Sequence, residues 1–213
     1  MAATWADKYR HWRYAAFRWR YELSTARKLA LALAFAGMIG LVAQIRIPFE
    51  PVPITGQTFA VLLAGALLGR RWGGVSVASY VGLGAAGIPW FYGWSGGIGH
   101  LTGATMGYLI GFVLAALFVG YFCDTFINSR RFLPMLGLML FASLVLINVT
   151  GLLWLNTFMP GGFFSYSLWW SGMLMFIPGD IIKAIAAAAV VKGVAPKEAY
   201  NGELDKGKVW RIP

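Results

Sequence analysis

Six apolar stretches occupy most of the chain beyond residue 28, at 29–47, 55–68, 74–88, 103–122, 134–158 and 168–191. A helix crosses the hydrocarbon core of a bilayer in roughly 17 to 25 residues, and only helices and closed barrels satisfy their own backbone there. The runs predict an all-α integral membrane protein with six transmembrane helices in one bundle. Composition agrees: 59% of residues are apolar and 12% charged, with a mean hydropathy of +0.65, outside the range of soluble domains. The stretches at 55–68 and 74–88 are short. Either they extend past these bounds, or they reach mid-membrane as partly irregular segments buried in protein. Gly and Pro, not polar linkers, separate the runs, which argues for a single bundle over 25–193 with no second domain. No repeat of roughly 20 to 50 residues is visible, and no charged-then-apolar cleavable leader opens the chain.

The basic residues give the bundle a direction. Seven lie before Leu29, namely Lys8, Arg10, Arg13, Arg18, Arg20, Arg27 and Lys28. Arg70 and Arg71 join the second and third runs, Arg130 and Arg131 the fourth and fifth, and Lys192, Lys197, Lys206, Lys208 and Arg211 follow the sixth. Only Arg46 falls in the opposite loops, and Lys183 lies inside a run. The positive-inside rule then makes both termini cytoplasmic in a multi-pass protein of the cell membrane. The net charge of +10 is explained by topology and anionic lipid, with no nucleic acid required. Residues 194–213 read as a basic cytoplasmic tail.

Residues 1–24 read as a cytoplasmic helix. Trp5, Tyr9, Trp12, Ala16 and Trp19 recur at alternating spacings of four and three, one helical face. Arg10, Arg13, Arg18 and Arg20 accompany it, as in an amphipathic helix lying in the headgroup layer.

The sixth run carries the chain's least expected residues. In MFIPGDIIKAIAAAAVVKG, residues 175–193, Asp180 and Lys183 interrupt a membrane span. Each costs about 2.5 to 3.5 kcal/mol to insert near the centre of a span. At i and i+3 they share a helix face and partly neutralise one another. A structural ion pair is the plain reading, but apolar residues of similar size are usually as stable. Retained charges therefore point to a polar solute or ion. Pro178 is expected to kink the helix just before the pair.

Four motifs carry a resemblance. VPITGQT (52–58), LLGRRWG (67–73), Gly-x-Pro-x-Phe (87–91) and Pro-Gly-Asp-x-x-Lys (178–183) occur in order. In these the chain resembles the BioY family, the biotin-specific membrane subunits, or S components, of energy-coupling factor transporters. The likeness runs from about residue 47 to residue 191. The family's usual Gly-Pro-Thr-Gly-Gly-Tyr stretch appears here as GATMGY, with Ala104 and Met106 in place of Pro and Gly.

The resemblance implies biotin as ligand. Its ureido ring offers two N–H donors and a carbonyl acceptor, its thiophane ring and chain are apolar, and its far end is a carboxylate. Asp180 is expected to accept from the ureido N–H groups, and Lys183 to donate to a ligand oxygen or keep Asp180 ionised. Trp90, Phe91, Tyr108 and Trp154 are candidate walls, Tyr108 with a hydroxyl to offer, while Gln57 and Asn148 offer amides. Trp90 and Trp154 also suit interface anchors, and Asn148 a bond to another helix.

The Gly-rich, aromatic segment WFYGWSGGIGHLTG, residues 90–103, is a candidate lid over the pocket mouth. Its His100 reads as a surface or packing residue, and the lone Cys123 as a small buried one. No glycine cluster leads to a P-loop lysine or a dinucleotide fingerprint. The sequence thus supplies no nucleotide site and no catalytic constellation, and it calls for no cofactor or metal. Active uptake would need partners, and the resemblance implies a transmembrane coupling subunit and ATPase subunits. Ala30/Ala34 and Ala32/Ala36 match the small-residue spacing that such families present to the coupling subunit, a spacing also common in helix packing. Two other readings stay open. A stand-alone or proton-coupled carrier for a small carboxylate-bearing solute would use the same charged pair. An intramembrane enzyme would need a second catalytic group that the spans do not offer.

Overall fold

The computed structural model describes residues 4–196, so the basic tail beyond that point, with Lys197, Lys206, Lys208 and Arg211, lies outside the described residues. Helix α1 (Trp5–Glu22) starts at a capping box in which the Asp7 carboxylate accepts from Thr4 Oγ1 at 2.5 Å and Thr4 N at 3.2 Å. Helix α2 (Thr25–Val42) follows. A short ribbon of β1 (Arg46–Ile47) and β2 (Ile54–Thr55) pairs Arg46 with Thr55 and Ile47 with Ile54 in antiparallel register. Helix α3 runs Gln57–Ala85, then come α4 (Gly99–Thr102) and α5 (Met106–Thr125). Beyond a 3₁₀ turn at Ile127–Arg130, α6 (Phe132–Phe141) passes through a π-helical stretch at Ala142–Ile147 into α7 (Asn148–Leu155). The chain closes with α8 (Tyr166–Gly172), a 3₁₀ turn at Leu174–Phe176, and α9 (Ile177–Val194).

Among the described residues four units are long and apolar enough to cross a membrane: Thr25–Val42, Met106–Thr125, Phe132–Leu155 and Tyr166–Val194. Helix α3 accounts for the two short sequence runs. Gly69 adopts φ +80° in its midst, a left-handed conformation that only glycine takes readily. The chain doubles back there. Gln57 Nε2 donates to Tyr80 Oη at 2.7 Å, although a straight helix would hold those residues ~35 Å apart at 1.5 Å per residue. Arms 57–68 and 70–85 therefore lie side by side. The second arm begins where Arg70 N donates to the Asp124 carboxylate at 2.8 Å, a cap provided by the end of α5.

Helix α5 is the hub, packed against both α3 and the 142–155 segment. Small residues permit the close approach; the backbone at Ala116 leaves no space for a side chain at Gly65. Where helices touch, Ala60, Ala64, Ala115, Ala116 and Val119 are fully buried.

The structure divides the four alanines of α2. Ala32 and Ala36 have no exposed surface and pack inside the bundle with Ile39, whereas Ala30 and Ala34 are exposed. At about 100° per residue, positions two apart point in nearly opposite directions. Ala32 and Ala36 thus serve intramolecular packing, the other use of such spacing, while Ala30 and Ala34 face outward.

Helix α1 docks against the end of α9. Tyr9 Oη donates to Gly193 O at 2.6 Å, and the Arg13 guanidinium donates to Lys192 O at 2.8 Å and to Ala195 O. Arg13 and Phe17 are buried, while Trp5 and Trp12 remain exposed.

Candidate functional site

The sixth run is not one kinked helix with a mid-span charge pair. The chain leaves the helix at Met173 (φ −145°, ψ −56°), passes through the 3₁₀ turn and re-enters at α9. Pro178 occupies the first turn of α9, where its missing N–H would have no intrahelical partner anyway. Asp180 consequently stands in a first turn, at the positive end of the helix dipole. The cost that made it conspicuous is reduced by this local geometry.

Both carboxylate oxygens are engaged. Asp180 Oδ1 lies 3.1 Å from Lys183 Nζ, and Asp180 Oδ2 accepts from Asn148 Nδ2 at 3.0 Å. Asn148 is delivered by the first residue of α7, directly after the π-helical stretch; such bulges re-aim side chains. Asp180 is 2% exposed and Asn148 likewise buried, yet a carboxylate has about four acceptor sites, so further donors can be received.

These three residues line a cavity of about 60 Å³. Across from them, the start of α3 brings Gln57, whose Oε1 accepts from Thr55 Oγ1 at 2.6 Å while its Nε2 donates to Tyr80. Phe91, Tyr108, Phe112 and Phe176 supply apolar walls. The Tyr108 hydroxyl donates to Gly172 O at 2.6 Å, just before the break at Met173, and its ring meets Phe176 edge-on at 5.9 Å. The space is thus shaped for a solute with an apolar body and a head that both donates and accepts.

Of the eight residues named from sequence, the structure brings six to this cavity: Asp180, Lys183, Asn148, Gln57, Tyr108 and Phe91. The other two stand behind its walls. Trp90 Nε1 donates to Tyr80 O at 2.9 Å and its ring lines a separate apolar groove beside α2. Trp154 Nε1 donates to Gly103 O at 2.9 Å. Each indole has found a backbone carbonyl, as buried indoles do, and holds a loop in place.

Sequence reasoning missed Thr55, Thr58, Tyr92 and Thr105, which also line the space. The first two belong to the VPITGQT motif, where hydroxyls flanking Gln57 were the available signal. His100, read as a packing residue, reaches the cavity wall against Phe91 at 4.8 Å between ring centres. Burial holds its imidazole below the ordinary pKa.

A sequence profile of the BioY family matches residues 15–199. The chain is 48% identical over 160 residues to a probable biotin transporter BioY of Methanothermobacter thermautotrophicus, spanning 71% of this chain and 100% of that one. It is 33% identical over 178 residues to the biotin transporter BioY of Rhizobium etli, spanning 80% and 94%. Among solved structures, the crystal structure of the S-component for biotin from an ECF-type ABC transporter superposes with a TM-score of 0.70 at 28% identity. That match covers 80% of this chain and 93% of the other. With a matching family profile, related sequences and a shared fold, the chain belongs to the BioY family.

Proposed function

We propose that this chain is the membrane-embedded biotin-binding subunit of an uptake system, energised by separate coupling and ATPase subunits. The observation that carries this reading is a buried carboxylate, Asp180, bridged by Lys183 and Asn148 on the wall of an otherwise aromatic and aliphatic cavity. Biotin fits that chemistry group by group. The ureido N–H donors meet the open acceptor sites of Asp180, and the ureido carbonyl accepts from Lys183 or Asn148. The bicyclic body packs on Phe91, Tyr108, Phe112 and Phe176. The names of the related proteins support the same ligand.

In this reading α2, the two arms of α3, α5, Phe132–Leu155 and Tyr166–Val194 are six spans, and both termini are cytoplasmic. Support comes from Arg70, Arg71, Arg130, Arg131 and Lys192, which lie toward the end of the bundle where α1 meets the last turn of α9. Helix α1 lies in the headgroup layer with Trp5 and Trp12 turned outward. The exposed Ala30/Ala34 face of α2 receives the coupling subunit. The chain itself performs no catalysis; it binds and carries.

Equilibrium binding of tritiated biotin to the purified full chain tests the reading. Asp180→Asn should weaken saturable binding about 10- to 100-fold, the loss expected for a charge-assisted hydrogen bond of roughly 1.5 to 3 kcal/mol. Absence of saturable binding by the wild type would overturn the proposal.

A further inference from the structure

Among the described residues, Arg46 is the sole Lys or Arg at the pocket-mouth end of the bundle apart from Lys183 inside the cavity. Its position is built from two sides. In the ribbon Arg46 stands directly opposite Thr55, a cavity-lining residue. Its guanidinium lies against Gly93, where an added Cβ would come 2.8 Å from Nη1. Gly93 also has φ +73°, a conformation that favours glycine. The preceding Tyr92 lines the cavity.

The loop so contacted is itself held in place. Gln44, just beyond α2, donates from Nε2 to Phe91 O at 3.0 Å and accepts at Oε1 from Trp94 N at 3.0 Å. Arg46 thus projects between a ribbon and a tethered loop that both form the mouth. It is exposed, and its guanidinium makes no hydrogen bond or ion pair with the described residues. Glu50, in the same ribbon connection, makes none either. Five N–H donors in a planar fork, suited to a carboxylate, are left to solvent.

Electrostatics inside the cavity points the same way. Lys183 is already 3.1 Å from Asp180, so a carboxylate brought to Lys183 would also meet a buried like charge. A monoanionic solute is better accommodated head first, with its charge left at the mouth. We propose that Arg46 receives the carboxylate of the bound solute and sets selectivity for acids over their neutral derivatives. The inference rests on the biotin reading and deepens it by fixing which end of the ligand enters first.

The test compares biotin with biotinamide, its neutral carboxamide, in equilibrium competition on the purified full chain. Wild type should prefer biotin by about two- to fivefold, the upper range for an exposed but geometrically good pair, and the preference should shrink with salt. Arg46→Gln should lower biotin affinity by that factor and leave biotinamide affinity unchanged, which also shows that the variant is folded. Arg46→Lys should recover part of the preference. An Arg46→Gln protein that keeps the wild-type preference, or loses both ligands equally, overturns the assignment while the biotin reading stands. Wild type that binds neither ligand overturns both.

Discussion

The two ends of the bundle are held together by different chemistry. At the basic end, long side chains bind backbone carbonyls. Arg13 and Tyr9 close the last turn of α9, and Arg130 donates from Nε to Cys123 O at 2.9 Å and from Nη1 to Pro196 O at 3.4 Å. These are the orphan acceptors of helix ends, where cations also meet the negative end of the dipole. Inside the pocket, the charged and amide side chains bind other side chains: Asp180 with Lys183 and Asn148, Gln57 with Thr55 and Tyr80. A carbonyl at a helix end has no other suitor, so the basic end is a staple. Side-chain pairs, by contrast, retain unused donor and acceptor sites that a solute can take. Stability and recognition should therefore be separable by mutation, one at each end.

The largest effect should come from breaking the charged pair on one side only. Lys183→Met leaves Asp180 buried with Asn148 as partner and should cost about 3 to 5 kcal/mol of stability, as for other half-broken buried pairs. Asp180→Leu combined with Lys183→Met removes both charges and should recover most of that loss. Neither variant should bind biotin. Thermal unfolding in detergent beside ligand binding separates the outcomes. A single variant as stable as wild type would show that the pocket end tolerates a lone charge, and the contrast between the ends would blur.

How much of this was legible in the sequence varies with the kind of physics involved. The apolar runs announced helices able to cross a membrane, and the insertion cost of Asp180 and Lys183 pointed to the candidate cavity that both line. The reversal at Gly69 was legible as the gap, with Arg70 and Arg71, between the runs at 55–68 and 74–88; that a single glycine at φ +80° makes it, with almost no loop, was not. The break at Met173 follows from Pro178, whose ring clashes with the carbonyl four residues earlier. The chain leaves helical geometry upstream of that clash, so the disruption begins ahead of the proline and Asp180 gains a helix start. For Trp90 and Trp154 the sequence offered candidate walls or interface anchors, and the structure puts both indoles on backbone carbonyls outside the cavity lining. An indole turns toward whichever carbonyl the tertiary fold presents. Ala32 and Ala36 could be separated from Ala30 and Ala34 by helical angle alone, but which pair faces inward depends on the neighbouring arm of α3.

An intermediate effect should come from the staple. Arg13 is 6% exposed and donates to two carbonyls, so Arg13→Met should destabilise by about 2 to 3 kcal/mol, allowing for charge-assisted bonds. Tyr9→Phe, at a more exposed site, should cost roughly 0.5 to 1.5 kcal/mol. Biotin affinity should stay within about twofold in both, a difference of ~0.4 kcal/mol. Loss of affinity in a folded Arg13→Met protein would mean that the end of α9 governs its beginning, and the two ends would be one device.

The smallest effect concerns protons at the pocket end. His100 packs against the rings of Phe91 and Tyr92, and burial holds its imidazole below the ordinary value of 6.5. In the unfolded chain the ring takes up its proton near pH 6.5, whereas in the folded chain it does so at lower pH. Between those two values the unfolded state binds more protons, and stability rises with pH. The stability contributed by neutral His100 is thus fully present above about pH 6.5 and is lost as pH falls from there toward the folded value. Thermal unfolding from pH 7.5 to 5 should show a decline that His100→Gln reduces. The same decline should persist in Arg13→Met, because the staple at the far end lies apart from the ring that takes up the proton. A decline untouched by His100→Gln, or abolished by Arg13→Met, would place the proton uptake away from the pocket wall, and His100 would be a packing residue alone.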